Sequence, residues 1–174
     1  MSPPRPTGDL EEQFIAAYDA YADSIFRHLA LRIGDRELGR DMMQETFLRA
    51  WEYLSRGAQI ENLRAFLYKV ANNLLVDTAR RKRLRKEESF EDLHEAGFDL
   101  PAETENPGTL VDGKRLMAIL RQVDEPYRTA VIMRHIDGLP PQEIAELLGT
   151  SSNVVSVRIH RGLEKLRSLL PSYE

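Results

Sequence analysis

The sequence predicts an all-α protein of two small helical domains joined by a flexible acidic linker. Apolar residues recur at intervals of three and four in residues 10–86 and 109–172, which is the spacing of amphipathic helices. Segments that alternate apolar and polar residues, as strands do, are nearly absent. Residues 87–108 carry eight acidic side chains, no basic ones and several prolines and glycines, as linkers do. A chain of 174 residues is long enough for one sizeable core or two small ones.

Composition excludes several classes of protein. The chain has 42% hydrophobic and 30% charged residues, which is typical of a globular protein and not of a disordered one. It has no cysteine, which excludes a disulfide framework and cysteine-based zinc sites and fits the reducing cytoplasm. The N-terminal residues lack the apolar stretch of a signal peptide, and no segment approaches the roughly 20 apolar residues of a membrane span. We therefore expect a cytoplasmic protein with no membrane insertion.

Three helices are predicted in the N-terminal domain. The first is interrupted by Gly34 and Asp35, the second ends near Gly57, and the third begins after Asn62, a residue suited to capping a helix N-terminus. Their apolar stripes consist of Phe14, Tyr18, Tyr21, Ile25 and Leu29 in the first, Met43, Phe47, Trp51 and Leu54 in the second, and Leu63, Phe66, Leu67, Val70, Ala71, Leu74, Leu75 and Thr78 in the third.

The third helix ends in a basic run. Six of the seven residues from 80 to 86 are arginine or lysine. Cations at a helix C-terminus complement the helix dipole, and a solvated helix end is the ordinary explanation, although one or two charges would suffice. The chain has a formal net charge of −4, yet residues 1–86 carry +3, residues 87–108 carry −8 and residues 109–174 carry +1. This distribution permits nucleic-acid binding, which the overall acidity would argue against.

The C-terminal domain contains a helix-turn-helix pattern. Pro141 suits the first position of a helix, and Gly149 can adopt the left-handed conformation of a tight turn. The stripe of the helix that follows consists of Val155, Ile159, Leu163, Leu166 and Leu170. Helix, short glycine turn and helix form the pattern of many DNA-binding domains, and simple packing is the alternative explanation.

Residues 155–160 also fit a β-strand, because they alternate in polarity and include β-branched residues. The leucines that follow at helical spacing, and the absence of any partner strand, favour the helix. In that helix Val157 lies away from the apolar stripe, beside His160 and Arg161. An exposed valine among cations suits a surface that meets thymine methyl groups and phosphates.

Taken together, these segments resemble the bacterial RNA polymerase sigma factors of the extracytoplasmic-function type. DMMQETFLRAW (41–51) is similar to that family's core-polymerase-binding helix, and LRAFLYKVANNLLVDTARRKR (63–83) to its promoter-melting, minus-ten-reading helix. The acidic segment stands where the family has its interdomain linker, and the helix-turn-helix resembles the domain that reads the minus-thirty-five element. The resemblance implies a transcription initiation factor, not an enzyme, with domains at 10–86 and 109–172 around the linker 87–108.

The second helix carries an acidic ridge opposite its apolar stripe. Such a ridge, with one exposed leucine, suits docking to a basic partner helix, although an ordinary solvated helix face has a similar composition. The resemblance implies that it binds the clamp helices of the largest polymerase subunit. The ridge consists of Asp41, Gln44, Glu45, Leu48 and Glu52.

The third helix is expected to present a polar face opposite its apolar stripe. Asparagine can hydrogen-bond a base edge in either direction, and lysine and arginine neutralise phosphates. The resemblance implies minus-ten recognition, with capture of a flipped base in the loop after this helix. It matches Asn73 to the asparagine concerned and puts Phe66, otherwise a core residue, where the family often has tryptophan. The candidate minus-ten residues are Phe66, Lys69, Asn72, Asn73, Arg80, Arg81, Lys82 and Arg83, and the basic run up to Lys86 is expected along promoter phosphates.

The resemblance also implies minus-thirty-five recognition by the second helix of the helix-turn-helix. This chain departs from the family pattern G-T-V-(K/R)-S-R, because it has NVVSVR at 153–158 and so lacks a basic residue at Ser156. Val123 and Asp124 stand where the family usually has Leu-Pro. An unusual promoter sequence and weaker binding to this element are therefore expected. The candidate residues are Ser156, Val157, Arg158, His160 and Arg161.

The expected partners are core RNA polymerase, through its clamp helices and flap, promoter DNA, and an anti-sigma factor. No cofactor or metal is expected. The acidic linker either threads the positively lined cleft of the polymerase or serves as a solubilising tether, and the sequence leaves both open.

Two other classes of protein fit parts of the sequence. A two-domain transcription regulator would bind a palindrome as a dimer and would not need an acidic docking ridge. An enzyme with a carboxylate–imidazole metal site, for example at His28, Asp41 and Glu45, would need E-x-x-H pairs that the sequence lacks. The chain also has no glycine-rich phosphate-binding loop.

Overall fold

A computed structural model describes residues 8–88, 115 and 118–170 of the protein. Within these ranges the regular structure is helical and contains no strand, so the predicted all-α class is confirmed. The chain divides into two compact units, Met1–Gly97 and Phe98–Glu174. The predicted linker 87–108 lies outside the described residues except at its first two positions, which belong to a helix.

The N-terminal unit consists of three helices: α1 (Gly8–Ile33), α2 (Arg36–Ser55) and α3 (Leu63–Glu88). Gly34, in the left-handed region at φ 76°, ends α1, and the Asp35 carboxylate caps α2 by accepting from the Leu38 N–H at 3.0 Å. The Asn62 side chain accepts from the Ala65 N–H at 3.0 Å, which confirms the predicted cap of α3.

The core of this unit forms where the apolar stripes of the three helices meet. Ile25 and Leu29 of α1, Ala50 of α2, and Leu67 and Ala71 of α3 are completely buried. Burial of these side chains is the main force that holds α3 in place, since most helices are stabilised by packing of an amphipathic face.

Helices α1 and α2 approach closely at Gly39. A Cβ atom at this position would lie 2.9 Å from Ala30 Cα and 3.0 Å from Ala30 N, and these backbone atoms cannot move aside cheaply. The packing of the two helices therefore requires glycine at position 39, and this contact determines which parts of α1 and α2 lie side by side.

The C-terminal unit contains helical residues 118–120, α4 (Tyr127–Val131), a π-helical turn (Ile132–Ile136), α5 (Pro141–Leu148) and α6 (Ser152–Leu169). The segment after Asp124 is not one regular helix. The structure instead inserts the π-helical turn, in which the Asp137 N–H donates to Ile132 O at 3.0 Å.

Helices α5 and α6 form the helix-turn-helix. Gly149 adopts the left-handed conformation at φ 61°, as predicted, and the Ser151 hydroxyl caps α6 by accepting from the Val154 N–H at 3.3 Å. Val155 is completely buried. Residues 155–160 are helical, so the strand alternative was wrong. The half-buried Leu163 and Leu166 continue the stripe of Val155 and Ile159, whereas Leu170 is exposed, and strand propensity yields to that packing.

We predict that Gly39→Ala lowers the free energy of unfolding of the N-terminal unit by about 1–3 kcal/mol, because the added methyl group overpacks the contact with Ala30. Urea unfolding followed by Trp51 fluorescence measures this, since Trp51 is the single tryptophan of the chain. Gly8→Ala is the matched control, because a Cβ there has no neighbour within 4 Å. Equal stability of Gly39→Ala and the wild type would contradict the close approach.

Candidate functional site

The acidic ridge lies on α2 and faces solvent. Asp41, Gln44 and Glu52 are exposed, Glu45 is half-buried, and Leu48 is 53% exposed. The Arg49 guanidinium donates to Glu45 at 2.6 Å, so one carboxylate of the ridge is already paired on the protein surface. The structure therefore shows the predicted exposure of the ridge, and Leu48 is accessible at its centre.

An apolar groove between α1 and α2 borders the ridge. Leu48 belongs to both surfaces, and Ile15 on the α1 side is 60% exposed. Sequence reasoning missed this groove because it assigned Phe14, Tyr18 and Trp51 to the core. The signal for it was Ile15, an apolar residue that stands off the α1 stripe. The groove is lined by Glu11, Phe14, Ile15, Tyr18, Phe47, Leu48 and Trp51.

Helix α3 presents a polar stripe formed by Lys69, Asn73 and Arg80, all three exposed. Their spacing of four and seven residues puts them within about 40° of one another around the helix axis. A lysine, an amide and an arginine are thus aligned along one face. In this alignment Lys69 and Arg80 can each pair with a phosphate, and Asn73 between them can hydrogen-bond a base edge.

Asn72 does not belong to this stripe, and its predicted exposure was wrong. The residue is 5% exposed, and its Oδ1 accepts a hydrogen bond of 2.7 Å from Arg32 Nη1 on α1. Neighbouring positions on a helix point about 100° apart, so Asn72 faces the α1 contact while Asn73 faces solvent.

Phe66 is half-buried and packs against Tyr53 of α2. The two rings are nearly parallel, with centroids 5.1 Å apart and an angle of 27° between their planes. Phe66 is therefore part of the α2–α3 contact but is not fully buried in the core.

The basic residues at 80–86 lie on the C-terminal part of α3 and are all exposed. Consecutive positions on a helix point in all directions, so the six cations cannot share one face. Only Arg80 and Arg83 lie within about 40° of Lys69 and extend the polar stripe, and contact of all six cations with phosphates stays a prediction. Arg81, Lys82, Arg85 and Lys86 point to other sides. Because α3 continues to Glu88, the expected base-capturing loop lies outside the described residues.

In the C-terminal unit, α6 exposes Ser156, Val157, His160 and Arg161, whereas Arg158 is half-buried. Val157 is 50% exposed. The Ser156 hydroxyl donates to Ser152 O at 2.9 Å, within its own helix. His160 Nε2 lies 3.3 Å from the Glu164 carboxylate.

Tyr127 was not predicted as part of this surface. Its hydroxyl accepts a hydrogen bond of 3.4 Å from Arg161 Nη1, which ties the guanidinium to α4. A shallow groove runs beside this contact, and its lining includes Asn153 and Val154 at the start of α6. The close approach of α4 and α6 depends on Gly162, where a Cβ would lie 2.5 Å from Val131 Cγ2.

Neither a metal site nor a membrane span is found in the described ranges. No cluster of three or more histidine, aspartate or glutamate side chains that could hold a metal occurs there. No helix in those ranges combines the length and the apolar character that crossing a bilayer requires.

Comparison with known proteins identifies the family. Two family models match the chain, Sigma-70 region 2 over residues 17–85 and Sigma-70, region 4 over residues 113–166. The RNA polymerase sigma factor CarQ of Myxococcus xanthus is 30% identical over 172 residues, which cover 91% of this chain and 93% of CarQ. The chain belongs to the sigma-70 family.

Further relatives agree with this assignment and with the predicted extracytoplasmic-function (ECF) type. The ECF RNA polymerase sigma factor SigE of Mycolicibacterium smegmatis is 33% identical over 88% of this chain, which spans 60% of SigE. The sigma factor RpoE of Bartonella quintana, solved in complex with the anti-sigma factor NepR, has a TM-score of 0.79 at 18% identity and covers 94% of this chain and 99% of RpoE. That likeness shows a shared fold.

We predict that Asn72→Ala and Asn73→Ala differ in their effects on this sigma factor. Asn72→Ala removes a buried acceptor from Arg32 and should lower the free energy of unfolding by about 1.5–3 kcal/mol. Asn73→Ala, on the exposed face, should stay within about 0.5 kcal/mol of the wild type. Urea unfolding followed by Trp51 fluorescence compares the two. If both variants, or neither, lost stability, the orientation of α3 described above would be wrong.

Proposed function

We propose that the chain binds core RNA polymerase and directs promoter-specific transcription initiation. The observation that carries this proposal is the pairing of two exposed surfaces on one small unit: an acidic ridge on α2 and a cationic and amide-bearing stripe on α3. The first suits a basic protein helix and the second suits DNA. The sigma-70 region 2 and region 4 matches, in this order along the chain, support the same conclusion.

In the proposed complex, the ridge docks on the clamp helices of the largest polymerase subunit. Surface charges such as Asp41 and Glu52 steer and orient the partner, whereas affinity comes mainly from desolvated apolar anchors. Leu48 supplies such an anchor, because it connects the ridge to the apolar groove. A partner helix with basic and apolar residues on one face would complement both surfaces.

The polar stripe of α3 is proposed to read the minus-ten element. The Asn73 amide both donates and accepts, so it can pair with a base edge that strand separation exposes. Lys69 and Arg80 lie on either side of it along the helix and can each neutralise a phosphate. Arg83 extends this row towards the end of α3.

Minus-thirty-five recognition is proposed for the exposed face of α6. Arg161, held by the Tyr127 hydroxyl, can reach a phosphate or a guanine edge, and Val157 can contact a thymine methyl group. Ser156 carries no charge, and its hydroxyl group already donates a hydrogen bond to Ser152 O. Weaker electrostatic attraction on this side of the helix follows from that.

The finer organisation is also proposed. Domains at 10–86 and 109–172 would contact the two promoter elements, the second also meeting the polymerase flap, and the segment 87–108 would connect them inside or outside the polymerase cleft. The chain would bind and position DNA in the cytoplasm, while bond formation is the chemistry of the polymerase. An anti-sigma factor is expected to hold the chain inactive by covering the same exposed surfaces.

We predict that run-off transcription from a pool of promoters of the source genome requires both this chain and core polymerase. Leu48→Ala should weaken core binding about tenfold, as loss of an interface anchor does, whereas Asp41→Ala should mainly slow association. Asn73→Ala should bind core normally and initiate poorly. Asp19→Ala and Gln13→Ala, exposed on α1, are the matched controls.

Failure of the chain to bind core polymerase, together with a footprint on duplex DNA by the chain alone, would contradict the proposal. The chain would then be a conventional transcription regulator, and the ridge an ordinary solvated helix face.

We also predict that the basic residues of α3 separate into two groups by salt dependence. Each phosphate contact with a separated strand contributes about 0.7 to the slope of log K against log salt concentration. Arg80→Gln and Arg83→Gln should each lower the slope of holoenzyme–promoter binding by about that amount. Lys82→Gln and Arg85→Gln, which point elsewhere, should leave it unchanged. Equal effects of all four substitutions would show that the DNA surrounds the helix.

A further inference from the structure

The stacked pair of Tyr53 and Phe66 is a feature that helix packing alone does not require. Phe66 covers one face of the Tyr53 ring, yet Tyr53 remains 49% exposed. A core contact would bury the larger part of such a ring, because an aromatic side chain contributes most when it is removed from water. Here an aromatic ring stacks on one neighbour, and about half of its surface is left open to solvent.

The geometry of this pair differs from that of the other ring contacts described in the N-terminal unit. Phe14–Phe47, Tyr18–Phe47 and His28–Tyr68 meet edge to face, at interplanar angles of 79°, 62° and 83°. Phe14 and Trp51 are tilted by 58°. The rings of Tyr53 and Phe66 lie 27° apart. A nearly parallel stack ends in a flat face, and a third flat ring can continue it.

The pair lies at the N-terminal end of the polar stripe. Phe66 precedes Lys69 by three residues and Asn73 by seven, so the three side chains share one face of α3. At a rise of 1.5 Å per residue, the stack is about 10 Å along the helix from Asn73. On α2, Tyr53 lies about 100° around the axis from Glu52 and therefore points away from the acidic ridge.

We propose that Tyr53 is a stacking platform for one unpaired base of the melted minus-ten element. The base continues the stack that Phe66 begins, while the polar stripe holds the backbone and a second base further along α3. Stacking on an aromatic ring is tolerant of base identity, because every base has a flat π face. This inference rests on the proposed function, and it adds a residue of α2 to a DNA surface that would otherwise belong to α3 alone.

The first test measures the affinity of holoenzyme for a promoter, chosen by the run-off experiment, whose minus-ten element is pre-melted by mismatches. Tyr53→Ala should bind it about tenfold more weakly, since loss of one stacked base has an effect of this size. Tyr53→Phe keeps the ring and should match the wild type. Tyr53→Leu keeps an apolar contact with Phe66 but loses the flat face, and its affinity should be lowered as much as that of Tyr53→Ala.

The second test locates the base. Templates carry a single abasic site at each minus-ten position in turn, on either strand. At the position that stacks on Tyr53, the abasic site should lower the affinity of the wild-type holoenzyme about tenfold and should not lower the affinity of Tyr53→Ala any further. At other positions the losses from the abasic site and from the substitution should multiply.

Three results would overturn the proposal. The first is that Tyr53→Ala binds the pre-melted template with wild-type affinity. The second is an equal defect of Tyr53→Ala at every abasic position, and the third is that Tyr53→Ala binds core polymerase more weakly in the absence of DNA. The second result would mean that Tyr53 only supports Phe66, and the third that it belongs to the polymerase-binding surface. Failure of the proposed function is distinguishable, because the wild-type chain would then direct no initiation at all.

Discussion

Burial of one face of α3 against α1 and α2 is the interaction on which the proposed activity of the N-terminal unit depends. Leu67 and Ala71 anchor that face in the core, and the bond from Arg32 to Asn72 fixes the rotation of the helix. Once this rotation is set, the next residue, Asn73, must face solvent in line with Lys69 and Arg80. A turn of α3 by a single position, about 100°, would bury the candidate base-reading amide and expose its neighbour. Hydrophobic burial therefore does not merely stabilise the unit; it decides which of two adjacent asparagines is available to DNA.

The sequence predicted the elements well because their signals are local. Apolar periodicity located α1, α2, α3 and the helix-turn-helix, and the capping role of Asn62 followed from its position before a periodic segment. Contacts between helices carried no such local signal. The separation of Asn72 from Asn73 depends on a partner 40 residues away, and the Tyr53–Phe66 stack depends on how α2 meets α3. The π-helical turn was missed because one inserted residue hardly disturbs an apolar pattern over five positions.

Charge is distributed so that neighbouring helices of one small unit attract opposite partners. The carboxylates of α2 and the cations of α3 lie at the surface, where single ion pairs contribute little to stability and salt screens them. Their effect is on orientation and on the rate of association. Affinity must come from the apolar parts beside them: Leu48 and its groove next to the acidic ridge, and the aromatic stack next to the polar stripe. Each proposed surface thus combines charge, which selects the class of partner, with an apolar element that retains it.

Helices α2 and α3 are proposed to engage polymerase and promoter at the same time through different faces. Site-specific photo-crosslinking in an initiation complex tests this most directly, with a photoreactive amino acid placed at position 48 or at position 69 of the full chain. The probe at position 48 should crosslink to the largest polymerase subunit and the probe at position 69 to promoter DNA, in one and the same complex. Crosslinks from position 48 to DNA, or from position 69 to polymerase alone, would contradict it.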